Sequence, residues 1–190
     1  MKIIAFQGSP RREGNTDLLF REALSAARKS EDEIVIFPLN DMSIRPCQNC
    51  GGCEQTGTCV MTDDMDRIYP AIREADRVVV ASPIFFFGLS AQMKAMIDRC
   101  QAIWSEKYLL KRNIPAGPAG RKGLLLLVGG MKKETGVECG NATATAFFRS
   151  ISVPEHEVLS YLGVDKKGAI LDHPTAMKDA FEAGKRLVTR

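Results

Sequence analysis

Lys2-Ile3-Ile4-Ala5-Phe6-Gln7-Gly8-Ser9-Pro10-Arg11-Arg12-Glu13-Gly14-Asn15-Thr16 is the stretch that decides the fold. Residues 3–6 form an unbroken apolar run, the pattern of a strand buried on both faces. A polar loop bearing two glycines follows at once. Residues 16–29, rich in Leu, Ala, Arg and Glu, then read as a helix. A buried strand, a tight loop and a helix make the opening unit of an α/β fold.

The unit recurs along the chain. Apolar runs stand at residues 33–37, 78–81, 123–128 and 158–161, and helical patterns at 64–74, 91–104, 142–151 and 174–188. In the segment 64–74, Met65, Ile68 and Ile72 share one stripe, with Pro70 positioned to kink it. In the segment 91–104, Met93, Met96, Ile97, Cys100, Ile103 and Trp104 recur at helical spacing, which makes Cys100 a core residue. Strict alternation predicts a parallel sheet with helices on both faces. Five strands suit a flavodoxin-like three-layer sandwich with strand order 2-1-3-4-5, whose ligand sits outside the carboxyl ends of the strands. Residues 113–120, rich in Gly and Pro, read as a loop before the fourth strand.

The chain of 190 residues is expected to be one domain, 1–190, large enough to fold without staples. A net charge of +3, with no basic block interleaved with aromatics, gives no sign of a nucleic-acid binder. The longest apolar runs, 78–81 and 124–128, are far too short to span a bilayer, so no membrane role is expected. The N-terminal run turns at Gly8 without a signal-peptide core, which points to the cytoplasm.

Three loops fall at carboxyl ends of strands. In the first, Ser9, Asn15 and Thr16 offer donors and Arg11 or Arg12 a positive charge, beside the N–H groups that open a helix. That is a phosphate site, or a loop with an ordinary Asn or Thr cap. It lacks both G-x-G-x-x-G and the G-x-x-x-x-G-K-[ST] of nucleotide triphosphatases. The second loop runs Ser82-Pro83-Ile84-Phe85-Phe86-Phe87-Gly88-Leu89-Ser90. Its three adjacent aromatics cannot all enter one core. They make an apolar shelf for a flat ring with a polar edge, or a surface covered by a second subunit. The third, Gly129-Gly130-Met131, allows a flat ligand close to the backbone, or simply turns the chain.

Four of the six cysteines, Cys47, Cys50, Cys53 and Cys59, fall within thirteen residues of an insertion at about 45–62. The spacing C-x2-C-x2-C-x5-C, with Gly51, Gly52 and Gly57 inside it, lets four thiolates converge on a soft metal cluster. Zinc sites more often use two C-x2-C knuckles with a longer spacer, and free or redox-active thiols remain a third reading. The segment follows the second strand and is expected on the carboxyl edge of the sheet. Cys139 reads as a surface thiol in a glycine-flanked loop. His156 and His173 are isolated, and no catalytic side-chain constellation stands out.

Gly8-Ser9-Pro10-Arg11 with Asn15-Thr16, then Ser82-Pro83-Ile84-Phe85-Phe86 with residues 90–99 (SAQMKAMIDR), resemble the NAD(P)H-dependent FMN reductase family. The cysteine segment followed by Asp63-Asp64-Met65 resembles its iron–sulfur flavoproteins. The resemblance covers most of residues 1–130. It implies that Ser9, Arg11, Asn15 and Thr16 bind the FMN phosphate, and that Pro83, Ile84, Phe85, Phe86, Phe87 and Gly88 contact the ring. Gly129 and Gly130 would close its other side, and Cys47, Cys50, Cys53 and Cys59 would ligate a [4Fe–4S] cluster. Where those flavoproteins carry Gly-Gly-Gln-Glu, this chain has Thr135-Gly136-Val137-Glu138-Cys139-Gly140 instead. The implied activity is electron transfer from NAD(P)H or a protein donor to a small-molecule acceptor or redox protein, in a homodimer or homotetramer. A flavodoxin-like carrier without its own substrate would be strongly acidic, against the +3 found here. A nucleotide-binding regulatory module would leave the cysteines unexplained.

Overall fold

In a computed structural model, which describes residues 1–28, 33–112 and 120–189, the five apolar runs are strands of one sheet. They are β1 (Lys2–Gln7), β2 (Glu33–Pro38), β3 (Arg77–Phe85), β5 (Lys122–Gly129) and β6 (Glu155–Leu162), all parallel, in the order β2-β1-β3-β5-β6. That is the expected 2-1-3-4-5 order of a flavodoxin-like sandwich. A sixth strand, β4 (Gly88–Leu89), is an addition to the expected five and pairs antiparallel with the end of β3. The register runs Phe37, Phe6, Val80, Leu125, Val158 across the sheet.

Strand period alone divides these runs between two cores. Ile4, Phe6, Val78, Val80, Leu125 and Leu127 point to one face. There they meet α2 (Met65–Glu74), α3 (Ala91–Arg99), α4 (Gln101–Trp104) and α5 (Thr135–Ser150). Ile3, Ala5, Val79, Ala81, Leu124 and Leu126 point to the other, against α1 (Asn15–Ala27) and α6 (Ala176–Val188). Both faces are therefore dry, which is why the strands read as continuous rather than alternating apolar runs.

Three expectations are corrected. The helix expected over 91–104 breaks at Cys100 and continues past Trp104 as a π-helical turn, Ser105–Leu109. The helix expected over 142–151 starts earlier, at Thr135. The stretch containing Cys139 is thus helix rather than loop, and Cys139 is exposed on it. Gly136 and Gly140 disguise the helix in the sequence, because glycine is a poor helix former. Here they allow close approach: a Cβ on Gly136 would stand 2.7 Å from Ile84 Cγ2. Cys100 is buried as expected, and burial pushes its thiol up to about 12. The loop expected at 113–120 lies, but for Gly120, outside the described residues, as does Lys29 at the end of the first helix. Among the described residues, no helix is long and apolar enough to cross a membrane.

Candidate functional site

The carboxyl ends of β1, β3, β5 and β6 surround one cleft of about 440 Å³, in the size range of cofactor and ligand sites. The first loop contributes Ser9, Arg11, Gly14, Asn15 and Thr16. Helix α1 begins straight after, with Gly14 at its N-cap and no side chain capping it. Leu18 N–H makes the first helical bond, to the Gly14 carbonyl. The N–H groups before it sit at the positive end of the helix dipole, beside Arg11, where an anion is favoured. Arg11 lines the cleft, whereas Arg12 pairs with Asp41 at 3.0 Å and does not.

Asn15 lines the cleft and is also engaged by the loop after β6. Its Nδ2 donates to the carbonyls of Val164, at 3.4 Å, and Lys166, at 2.9 Å, while its Oδ1 accepts from Ile170 N–H at 3.2 Å. The side chain therefore ties the loop after β6 to the first loop. Ser9 Oγ is likewise engaged locally, accepting from Arg11 N–H at 3.2 Å.

The second loop brings Pro83, Ile84, Phe85, Phe86 and Phe87 into the cleft; Gly88 does not line it. Phe85 pairs with Gly88, so Phe86 and Phe87 form a two-residue hairpin turn. Both have positive φ, 48° and 61°, the geometry of a type I′ turn that Asn-Gly normally fills. Two phenylalanines held there are strained, a feature that concentrates at functional sites. Phe86 is fully exposed and Phe85 about half exposed.

The third loop lines the cleft with Gly129, Gly130 and Met131. A Cβ on Gly130 would lie 3.0 Å from Asp165 Oδ1, so this glycine is where two loops touch. Sequence reasoning missed Lys133 and a fourth wall made by Leu162, Val164 and Asp165. The rule that ligands gather at carboxyl ends of strands, applied to β6 as it was to β1, β3 and β5, points to that wall.

The cysteine segment lies between β2 and α2. Cys47, Cys50, Cys53 and Cys59 are all free and line one small pocket of about 30 Å³, together with Arg99, Gln101 and Ala102. This pocket shares no residue with the cleft. The thiols pack against the C-terminal end of α3, whose N-terminal cap, Ser90, adjoins Gly8. The helix between is on the order of 13 Å long. Among the described residues, no three His, Cys, Asp or Glu side chains meet around one point where a metal ion could sit. Cys53 Sγ contacts Ser105 Oγ on the π-helical turn at 3.6 Å. Burial works to raise the Asp63 carboxyl, but hydrogen bonds from Arg99 and the N–H groups of Met65 and Arg45 outweigh it and hold it below its ordinary value. Burial also raises Tyr69, whose hydroxyl donates to the Arg99 carbonyl at 2.9 Å.

The two histidines are structural. His156 stacks on Phe148 and bonds Asn141, and His173 Nδ1 accepts N–H groups at the start of α6.

Comparison with known proteins agrees with this geometry. An iron–sulfur flavoprotein of Methanocaldococcus jannaschii is 43% identical over 103 residues, covering 54% of this chain and 53% of that one. A second from the same organism is 30% identical over 149 residues, covering 78% and 71%. One from Methanosarcina thermophila is 34% identical, covering 61% of each. The matches thus span about half to three-fifths of the length of the first of these relatives. Among solved structures, an FMN-dependent NADH-azoreductase of Bacillus anthracis in complex with FMN superposes over the whole of both chains, with TM-score 0.67 and 15% identity. An NAD(P)H:quinone oxidoreductase of Methanothermobacter marburgensis superposes over 98% of both, with TM-score 0.72 and 15% identity. At that identity the likeness is one of fold. Residues 1–159 match the model of the NADPH-dependent FMN reductases, and the chain belongs to that family.

Proposed function

We propose that this chain is an FMN-dependent oxidoreductase that takes electrons from NAD(P)H or a protein donor and passes them to a small acceptor or redox protein, by way of a [4Fe–4S] cluster. The observation that carries this reading is the single cleft into which the phosphate-type loop, the aromatic turn and the paired glycines all open. Bound there, FMN would accept a hydride and release its electrons one at a time. The uncapped start of α1 and Arg11 hold the phosphate. Pro83, Ile84 and the phenylalanines keep water from one side of the ring, and the backbone at Gly129 and Gly130 lies along the other. Thr16 adds a hydroxyl donor, while Ser9 and Asn15 hold the loop in shape. One phosphate site without a second nucleotide fingerprint favours FMN over FAD. The exposed Phe85 and Phe86 form an apolar rim that a homodimer or homotetramer would cover.

The cluster reading is supported by four unpaired cysteines around one pocket and by the name shared by three relatives. Thiolate sulfurs are the donor set such a cluster requires. Gly51 and Gly57, both at positive φ, supply the turns that bring the four cysteines to one pocket.

The test is protein purified without oxygen. A structured flavin band with a broad brown shoulder, iron and acid-labile sulfide in the protein, and loss of iron with FMN retained in each Cys→Ser variant are expected. Less than about one iron per chain after reconstitution would leave a plain NAD(P)H-dependent FMN or quinone reductase with four thiols beside it. Failure to retain or take up FMN would sink the flavin reading itself.

A further inference from the structure

Arg99 ends α3 with its side chain wholly buried. From Nη1 it donates to the Arg45 carbonyl at 2.9 Å and to Asp63 Oδ2 at 2.5 Å, and from Nη2 to the Met61 carbonyl at 3.2 Å. Arg45 stands just before Cys47, and Met61 and Asp63 just after Cys59. One guanidinium therefore gathers both ends of the cysteine segment. Asp63 ties the same knot from the other side, accepting from Arg45 N–H at 3.1 Å and Met65 N–H at 3.0 Å. Arg99 also lines the pocket that the four cysteines surround, Cys59 among them, and its Nε is buried without a hydrogen-bond partner.

A buried guanidinium is costly to desolvate and is retained where its planar fork meets several acceptors that a lysine could not reach together. Here its three hydrogen bonds all go to the margins of the cysteine segment, and its buried Nε–H has no partner. We propose that Arg99 is the positioning residue of the cysteine segment: it holds the two ends closed and sets a fixed positive charge beside Cys59 that favours the reduced form of a cluster bound there. The charge half rests on the cluster reading above; the closure half does not.

The electron balance is simple. A [4Fe–4S]2+ core gains one electron from reduced FMN and becomes [4Fe–4S]+, so the thiolate-bound group grows more negative by one charge. A cation fixed in a buried site is little screened by salt and stabilises that product. Asp63 opposes it. Neutralising Asp63 and neutralising the whole pair must therefore move the potential differently, which a purely structural role would not produce.

The experiment uses the FMN-loaded 190-residue chain as wild type, Arg99→Lys, Asp63→Asn and the double variant Arg99→Gln/Asp63→Asn. Before reconstitution, hydrogen exchange of residues 46–62 reads closure. Arg99→Lys keeps the charge but not the fork, and exchange there is expected to rise at least tenfold while α6 stays unchanged; equal exchange overturns the closure half. After reconstitution with iron and sulfide, a spectroelectrochemical titration reads the charge. Asp63→Asn is expected to move the midpoint positive, and the double variant to sit negative of Asp63→Asn. Unchanged midpoints overturn the charge half. Asp63→Asn keeps the shape of the carboxylate but only one of its two acceptor oxygens, so it reads the carboxylate's own charge, and the double variant measured against it decides the charge half. Wild type that takes up less than about one iron per chain sinks the cluster reading and the charge half with it, and exchange alone then judges closure.

Discussion

Replacing Asn15 by Ala separates two ways in which the first loop can serve the cleft. The Asn15 side chain is almost fully buried, and both Nδ2 donors and the Oδ1 acceptor are engaged by the loop after β6. Three bonds at a net of about 1 kcal/mol each, two of them to groups left unpaired by the change, give a loss of about 2–4 kcal/mol in stability. For a domain of this size that is roughly 5–12 °C in Tm. FMN affinity should fall as well, because Val164 and Asp165 form one wall of the cleft and lose their tether. Thr16→Val is the contrast. It keeps the shape of a buried, cleft-lining residue and removes only the hydroxyl. It should weaken FMN by about 1.5–3 kcal/mol, the worth of a bond to a charged phosphate, with stability nearly unchanged. Urea unfolding of the FMN-free chain and flavin fluorescence titration measure the two quantities separately. If Asn15→Ala costs less than about 0.5 kcal/mol in stability yet lowers FMN affinity tenfold or more, the amide contacts the phosphate directly and the tether argument is wrong.

Three further outcomes are expected. Phe86→Asn with Phe87→Gly relieves two positive-φ phenylalanines and should stabilise the chain by about 1–2 kcal/mol while lowering turnover with a small acceptor; loss of stability in denaturant melts would refute the strain. Gly136→Ala sets a Cβ 2.7 Å from Ile84 Cγ2 and should cost about 1–3 kcal/mol by overpacking, with weaker flavin binding; an FMN titration matching wild type would show that Ile84 yields freely. Asp63 is held below its ordinary pKa of 3.8, so the unfolded chain binds the proton more readily. Its stabilisation is therefore complete above that value and is lost as pH falls below it. Asp63→Asn should flatten this acid limb in pH-dependent unfolding, and an unchanged limb would count against the pairing.

The sheet was legible because strands dry on both faces leave unbroken apolar runs, and residues 78–81 or 123–128 admit no other assignment in a βαβ chain. The three loops were legible for a related reason: topology places every carboxyl end on one edge, so Ser9, Pro83 and Gly129 had to meet. What sequence could not give was side-chain direction. Asn15 and Arg12 have the chemistry of phosphate ligands, but one turns to the loop after β6 and the other to Asp41. The cysteine spacing was equally plain, yet its location depended on Arg99, a single residue in a helix pattern, reaching carbonyls 38 and 54 positions earlier in the chain. Local pattern carries no information about a partner so distant.

Departures from local rules fall in the same two places as the proposed chemistry. The hairpin turn that asks for Asn-Gly holds Phe86-Phe87. The helix that should avoid glycine carries Gly136 and Gly140, each costing about 0.5–1 kcal/mol relative to alanine. The helix after Cys100 loosens into a π-turn where Ser105 and Glu106 meet Cys53 and Gly57. A sequence under pressure only to fold would replace each of these with a residue that fits its backbone. The glycines are kept where α5 must press on Ile84, the phenylalanines where the cleft needs an apolar rim, and the π-turn where the cysteine segment needs a bed. Strain is tolerated where a second constraint acts on the same residue. At the cleft that constraint is the flat ligand proposed above, and at the cysteine pocket it is the joining of the two ends of a four-cysteine segment, which Arg99, Asp63 and Arg45 hold together.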